Sequence, residues 1–527
     1  MVRYMDNQVG GFKQFSEMKE GSAGSRFGVF GWVLLFLLAW WLFMPQKKNP
    51  VAPAAEVAPP VDISKVPKQS AFHDKLDFTI QGIRISNIVL KEYKEDMNGS
   101  NPVKLLAGVD DKEFVEVGIQ AVGTDAPSEA SLWKSGRAAA NNVMSWKSES
   151  GVEFFRKISV SDGFVIIVSD EIKNNSKKPI SVRQYSRVVQ GGGASTLFTV
   201  HVGGIAKIDD GIEERSWDDM SDKAGYFEQG SDQTPFAGFS DQYWQVIASS
   251  EQQGEKTIRL RRRADGMYQA EIAPAYGEMK PGEVKEIATN IFAGPKTQAA
   301  LRDAALKMPG IDRTLDYGWF GFLSRPFLWT LNRLYDFIPN YGIAIILLTI
   351  IIRGLMWPLS KKSFKGMAAM QEIQPEMARI QKLYGDDKAR MQSEILRLYQ
   401  THKANPLSSI GIMFLQIPIF FALYKALIIA VPLRHAGFLW MSDLSVRDPY
   451  FILPLLMAAT MFLQNKMTSA GRAADAPGAK MMKYMPWIFA ALFAWMPGGL
   501  VLYWTVSNIC GIIQIAVIKK GEKREKI

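Results

Sequence analysis

Cysteine occurs once in this 527-residue chain, at Cys510, inside an apolar run. A single thiol excludes an intrachain disulfide and any cysteine-built metal site, so the soluble parts must stand on their packing alone. Histidine is almost as scarce. His73, His201, His402 and His435 lie far apart, with no HExxH or comparable pair, which leaves a metallohydrolase nothing to rest on. No metal, cofactor or catalytic residue is expected. Aspartate, glutamate and histidine are also missing from the apolar runs after residue 340. Proton-coupled carriers load their ion on such groups within a span, so coupled transport is disfavoured.

What is present is uneven. Hydrophobic residues make up 47% of the chain but crowd near the N-terminus and after residue 340, while residues 49–310 alternate modestly. This is the pattern of a membrane protein with a large water-soluble insert. The net charge of +10 sits beside the apolar runs, where anionic headgroups and the positive-inside bias account for it without nucleic-acid specificity. Residues 27–44 carry no charge over 18 positions, which at about 1.5 Å per residue nearly spans a hydrocarbon core of about 30 Å. The run exceeds the usual signal-peptide core and reads as an uncleaved anchor; PAA at 53–55 keeps cleavage as the alternative.

Further spans read at 341–359, 410–431 and 450–464, and the stretch 484–518 is divided by Pro497-Gly498-Gly499 into two, giving six crossings. Lys and Arg number nine in 361–407, four in 466–483 and five in 519–526, against two in 433–449 and none in 496–499. The first three connections therefore face the cytoplasm, which places both termini inside and the insert outside. Several spans are short, so the bilayer beside them is expected to thin or the helices to sit off-centre.

Residues 1–44 thus form a cytoplasmic segment and first anchor, and 45–70, rich in Pro, Ala and Val, a semi-extended linker. Period-two stretches such as Phe164, Ile166, Val168 and Ile258, Leu260, punctuated by turns at Asn174-Asn175 and Pro281-Gly282, predict an antiparallel β-sandwich over 71–315. Residues 316–340 carry eight aromatics with Arg325 and Arg333, the composition of a helix in the outer membrane interface; a buried amphipathic helix is the alternative. The core, 341–527, includes a cytoplasmic helical hairpin at 366–404. There Met370, Ile373 and Met377 recur at helical spacing until Gly385-Asp386-Asp387 breaks the pattern. Pro375 should bend the first helix or mark its start. The hairpin is either a connector or an adaptable partner surface.

Arg353 is the one formal charge well inside the 341–359 span. Such a cation is functional, or it snorkels to the cytoplasmic headgroups about six residues away. Thr349 lies one turn before it, and Gln416, Thr460, Gln464, Thr505, Ser507, Asn508 and Gln514 add uncharged polar groups. These could line a wet cavity or act singly as interhelical glue. Lys425, near the outer face, reads as a snorkelling residue.

Long stretches, IIIRGLMWPLSKKSFKGMAAMQEIQPEMARI (350–380), YGDDKARMQSEILRLYQTHKANPLS (384–408), QIPIFFALY (416–424), DLSVRDPYFILPLLMAATMFLQNKM (443–467) and MPGGLVLYWTVSNICGIIQ (496–514), closely resemble the YidC membrane protein insertases of the YidC/Oxa/Alb family in their longer Gram-negative form. The resemblance implies an insertase of the bacterial inner membrane with five core spans around a hydrophilic groove open to cytoplasm and lipid. It implies a groove arginine at Arg353, its polar neighbour at Thr349, the groove glutamine at Gln464 and the groove aromatic at Trp504. Many relatives carry two tyrosines where this chain has Tyr503-Trp504, so a role for the second hydroxyl does not carry over. Nascent membrane proteins, membrane lipids, the Sec translocon and the ribosome are the partners it implies. It also gives the outer domain a mutarotase-like β-supersandwich, without support here for sugar catalysis. A polytopic channel or carrier, and a periplasmic chaperone with a passive anchor, are the competing functions.

Overall fold

The computed structural model describes residues 63–97, 99–108, 112–135, 143–193, 200–221, 226–402, 408–469 and 479–525. The expected anchor at 27–44, most of the linker, and the tip of the hairpin's return at 403–407 lie outside these residues. The chain divides into two compact units: the described residues up to Trp329 together with Phe421–Gly437, and residues 330–420 with 438–527.

The first unit is built on two antiparallel sheets. One runs in the order Lys68–Phe72, Leu76–Gln81, Arg84–Lys94, Phe114–Val122, Ile180–Gln190, Tyr268–Pro274, Lys256–Arg262, Phe227–Ser231; the other is centred on Trp244–Ser250, Val284–Pro295, Val165–Asn174 and Val152–Ser161. Alternation sets which face is inside. Along Val165–Asn174 every second residue from Ile166 is buried, and the core between the sheets gathers Val152, Phe154, Ile172, Val182 and Met279. Two of the alternating positions are charged. Arg156 and Asp170 face each other across the ladder, each 1% exposed, joined by bonds of 2.8 and 2.7 Å, with Gln184 donating to the same carboxylate. The turn at Asn174-Asn175 is held by the buried Asn174 amide, which donates to the carbonyls of Lys178 and Met279.

The linker boundary at residue 70 needs correction. A strand begins at Lys68, because Lys68, Gln69 and Ser70 pair with Gln81, Ile80 and Thr79 and so satisfy their backbone groups in the sheet. Two short helices, α1 (Trp217–Ser221) and α2 (Gln298–Ala304), cover the sandwich. The aromatic segment forms α3 (Gly321–Phe337), which starts five residues later than Asp316 and leaves Phe322, Trp329 and Phe337 exposed, the last at 90%.

The segment Phe421–Gly437 belongs to this first unit, which its sequence did not signal. Gln242 donates to the Ile428 carbonyl at 3.1 Å, and Arg434 donates to the carbonyls of Lys94 and Glu95. Lys425 is not snorkelling: it is buried and its ammonium meets Asp316 at 2.5 Å, because a carboxylate within reach stabilises the charge more than a long path to headgroups.

The second unit is helical: α4 (Tyr341–Leu355), α5 (Trp357–Glu372), α6 (Gln374–Leu383), α7 (Lys388–Thr401), the first part of α8 (Ser408–Ile428), α9 (Ile452–Ser469), α10 (Ala479–Phe493) and α11 (Gly498–Glu525). Span 341–359 is not one straight helix; α4 and α5 meet at 59°, where Pro358 cannot donate to the Gly354 carbonyl. Among the described residues Gly498–Gly521 is long and apolar enough to cross a membrane by itself, and Tyr341–Leu355 with Trp357–Met370 is so only when the bent pair is taken together, as a broken span or a re-entrant loop. Gln416–Ile428 and Tyr484–Phe493 are shorter apolar helices.

Proline and glycine set the breaks. Pro375 lies in the first turn of α6, so it starts a new helix instead of bending an old one. After Pro497, the Gly498 and Gly499 amides donate to the carbonyls of Val446 and Leu444, satisfying two donors left open at the start of α11. Met441 packs against Gly498, its methyl 2.0 Å from where a Cβ would stand, so a larger residue there would have to displace that side chain. Asp448, buried in the preceding loop, accepts from the Leu453 and Tyr450 amides and from the Trp440 indole, fixing the entry of α9.

Candidate functional site

Helix α11 packs against both α4 and α9 and so collects their polar groups. Tyr503, Ser507, Gly511 and Gln514 recur at three and four residues and share a stripe of α11, with Asn508 on the adjoining stripe. Arg353, in the last turn of α4, reaches across to this stripe: its Nε donates to Ser507 Oγ at 2.8 Å and its Nη2 donates to the same oxygen. Gln514 donates to the Arg353 carbonyl at 3.1 Å. Among the described residues no carboxylate pairs with this guanidinium, which is half-buried. Two of its five N–H groups are engaged with one neutral hydroxyl, leaving a full positive charge with spare donors.

The other expected residues fall into three groups. Gln416 of α8 donates to the Tyr503 hydroxyl at 3.0 Å, on the turn of α11 before Ser507, so these two adjoin the arginine. Asn508 donates to Thr460 Oγ1 at 3.3 Å and to the Met457 carbonyl at 3.4 Å, a link between α9 and α11. The Gln464 amide lies over Gly511, where a Cβ would come within 2.8 Å of it. Thr349 and Trp504 do not join the polar stripe. Thr349 is fully buried and spends its hydroxyl on the Ile345 carbonyl one turn back. Trp504 sits among Phe420, Phe489 and Phe493, with ring centroids at 5.1, 6.1 and 5.2 Å. That aromatic cluster was missed from the sequence, although Phe489 and Phe493 at i, i+4 signal a shared face.

The hairpin residues divide similarly. Ile373 is buried against Leu398, with Met370 and Met377 packed at the edge of that small core. Gly385 and Asp386 are exposed in the turn, and the Asp387 carboxylate accepts from the Arg390 amide at 3.0 Å as the N-cap of α7. Among the described residues no group of His, Cys, Asp and Glu could hold a metal.

The family described as 60Kd inner membrane protein matches residues 333–526, and the YidC periplasmic domain matches residues 73–330. A membrane protein insertase YidC of Rickettsia bellii (strain OSU 85-389) is 33% identical over 483 residues, covering 84% of this chain and 86% of its own. The chain belongs to the YidC membrane protein insertases. The YidC of Rickettsia conorii (strain ATCC VR-613 / Malish 7) is also 33% identical, over 479 residues, covering 84% of this chain and 85% of its own. An active YidC insertase crystal structure covers 92% of this chain and 97% of its own at 19% identity, with a TM-score of 0.37. As a YidC insertase the chain is an inner-membrane protein that acts on membrane protein substrates, with a periplasmic β-sandwich followed by a helical region.

Proposed function

We propose that this insertase works by shortening the apolar path that a client's polar tail must cross, with Arg353 as the receptor for acidic groups on that tail. The observation that carries the reading is the uncompensated guanidinium on α4, held by Ser507 beside the Gln416–Tyr503 pair. Moving an unsatisfied polar group through hydrocarbon costs several kcal/mol, and a polar stripe with one cation lowers that cost. The client's apolar segment then moves into lipid, and its burial drives the step. Gln464, Thr460 and Asn508 extend the polar stripe, whereas Thr349 and Trp504 shape its apolar wall.

In this reading the chain has six spans, both termini in the cytoplasm and the hairpin 366–404 where nascent clients arrive. It acts alone or beside the Sec translocon, with the ribosome as a delivery partner. The interfacial aromatics of α3 support a membrane-surface position for that helix. Reconstituted insertion of a small single-span protein, scored by protease protection, tests the scheme. Replacing 368–402 with a Gly/Ser linker should abolish insertion, and removing most of 75–300 while keeping 316–338 should leave it largely intact. The reverse ranking would favour a periplasmic chaperone, and solute flux without insertion a channel.

A further inference from the structure

The outward face of the sheet that begins at Lys68–Phe72 carries a row of charges that alternate strand by strand. Arg84, Glu116, Arg187, Glu271, Arg259 and Glu228 stand opposite one another in register across six strands. Their ion pairs run at 3.5, 3.2, 2.7, 3.0 and 3.1 Å, and three cations against three anions leave the row neutral; Arg84 also meets Glu129 at its end. The Tyr185 ring packs against Gly118, where an added Cβ would come 2.4 Å from it, and the Tyr185 hydroxyl donates to Glu116 at 2.8 Å. A cavity of about 370 Å³ opens over the row, and two further arginines line it. Arg183 donates to Gln120 at 2.8 Å and lies over the Tyr276 ring; Arg261 has a buried Nε without a hydrogen-bond partner. Among the described residues neither has a carboxylate within salt-bridge distance. Their rows flank the neutral one, six residues apart along Ile180–Gln190, or about 20 Å of strand.

We propose that this cavity binds acidic peptide segments in extended form, with Arg183 and Arg261 each taking one carboxylate. Two uncompensated guanidiniums at a fixed span select paired carboxylates, and the ion-paired row between them adds no net charge to compete with them. The choice of peptide over an acidic saccharide rests on the insertase assignment, since translocated client segments are peptides. The test is fluorescence anisotropy of a labelled eight-residue peptide with Glu at positions 2 and 7, using the full chain in nanodiscs. Arg183→Gln and Arg261→Gln should each weaken binding about tenfold, the cost of one charge-assisted bond, and the Gln analogue of the peptide should bind as weakly as the double variant does. Arg302→Gln, an exposed position on α2, should change nothing. Equal binding of the Glu and Gln peptides, or binding of an oligouronate and not of the peptide, would overturn the proposal. The Gln peptide keeps the test independent of any folding defect. Insertion measured on the same variants separates this site from the insertase reading: lost peptide binding with normal insertion supports the site and leaves that reading standing.

Discussion

Removing the charge of Arg353 should discriminate between clients by the sign of their tails. Two of its N–H groups bind Ser507, leaving three free, and no carboxylate among the described residues neutralises it. A client carboxylate at about 5 Å, in a half-wet site with an effective dielectric of about 40, gains about 1.7 kcal/mol, or roughly 17-fold. Arg353→Ala should therefore slow insertion of a single-span client with one tail Asp or Glu by about 10- to 20-fold, while a Gln/Asn-tailed version changes less than about twofold. Arg353→Lys keeps the charge but loses the planar fork and should stay within about threefold. Ser507→Ala frees the guanidinium to swing and should cost the acidic client about threefold, near the lower end for one hydrogen bond. The assay is time-resolved protease protection in proteoliposomes. Raising ionic strength from about 0.05 to 0.5 M should shrink the acidic client's advantage, because a water-accessible pair is screened. An equal defect for acidic and neutral tails would refute the receptor role and leave Arg353 as a packing residue.

Three further outcomes are expected. In a Cys510→Ser background, single cysteines at the exposed positions Asp386 and Gly521 should be shielded from an impermeant thiol reagent added to spheroplasts, and those at Gln229 and Ser442 should react; labelling of Asp386 would invert the topology. Arg156→Met strands Asp170 in the sandwich core and should destabilise that domain by about 3–5 kcal/mol, seen as a Tm drop of roughly 6–20 °C by calorimetry, with Arg156→Met/Asp170→Leu recovering most of it. Lys296 is fully buried, bonded to Ser240 and the Asp241 carbonyl, and burial pushes its ammonium down to about 8. Its folded value lies below the unfolded one of about 10.4, so the unfolded chain holds the extra proton between them and this residue's share of stability rises from pH 8 to about 10.4. That rise, measured as denaturant midpoint against pH, should be missing in Lys296→Met.

Much of the architecture was legible in one dimension because it rests on periodicity. Alternation in Val165–Asn174 encodes a half-buried strand, and the same count of two puts Asp170 on its buried face and Arg156 on that of Val152–Ser161. Breakers acted locally too: Pro375 begins a helix because it needs no amide partner there, and Pro497-Gly498-Gly499 separates α10 from α11. The long motifs sufficed to name the family, since ungapped stretches in the family's order need no coordinates.

Partnerships between distant segments required the fold. Lys425 and Asp316 lie 109 positions apart, and only the chain's return through Phe421–Gly437 puts the ammonium beside the carboxylate. Sequence placed Thr349, Arg353 and Trp504 in one set. Helix rotation then turned Thr349 onto its own backbone and Trp504 among three phenylalanines, leaving Arg353 to Ser507. The charge row from Arg84 to Glu228 was equally hidden, since strand order, and not chain order, brings its six residues into register. Local spacing decides which side of an element a residue occupies; what it meets there depends on which elements pack together, a choice made by the burial energy of the whole chain.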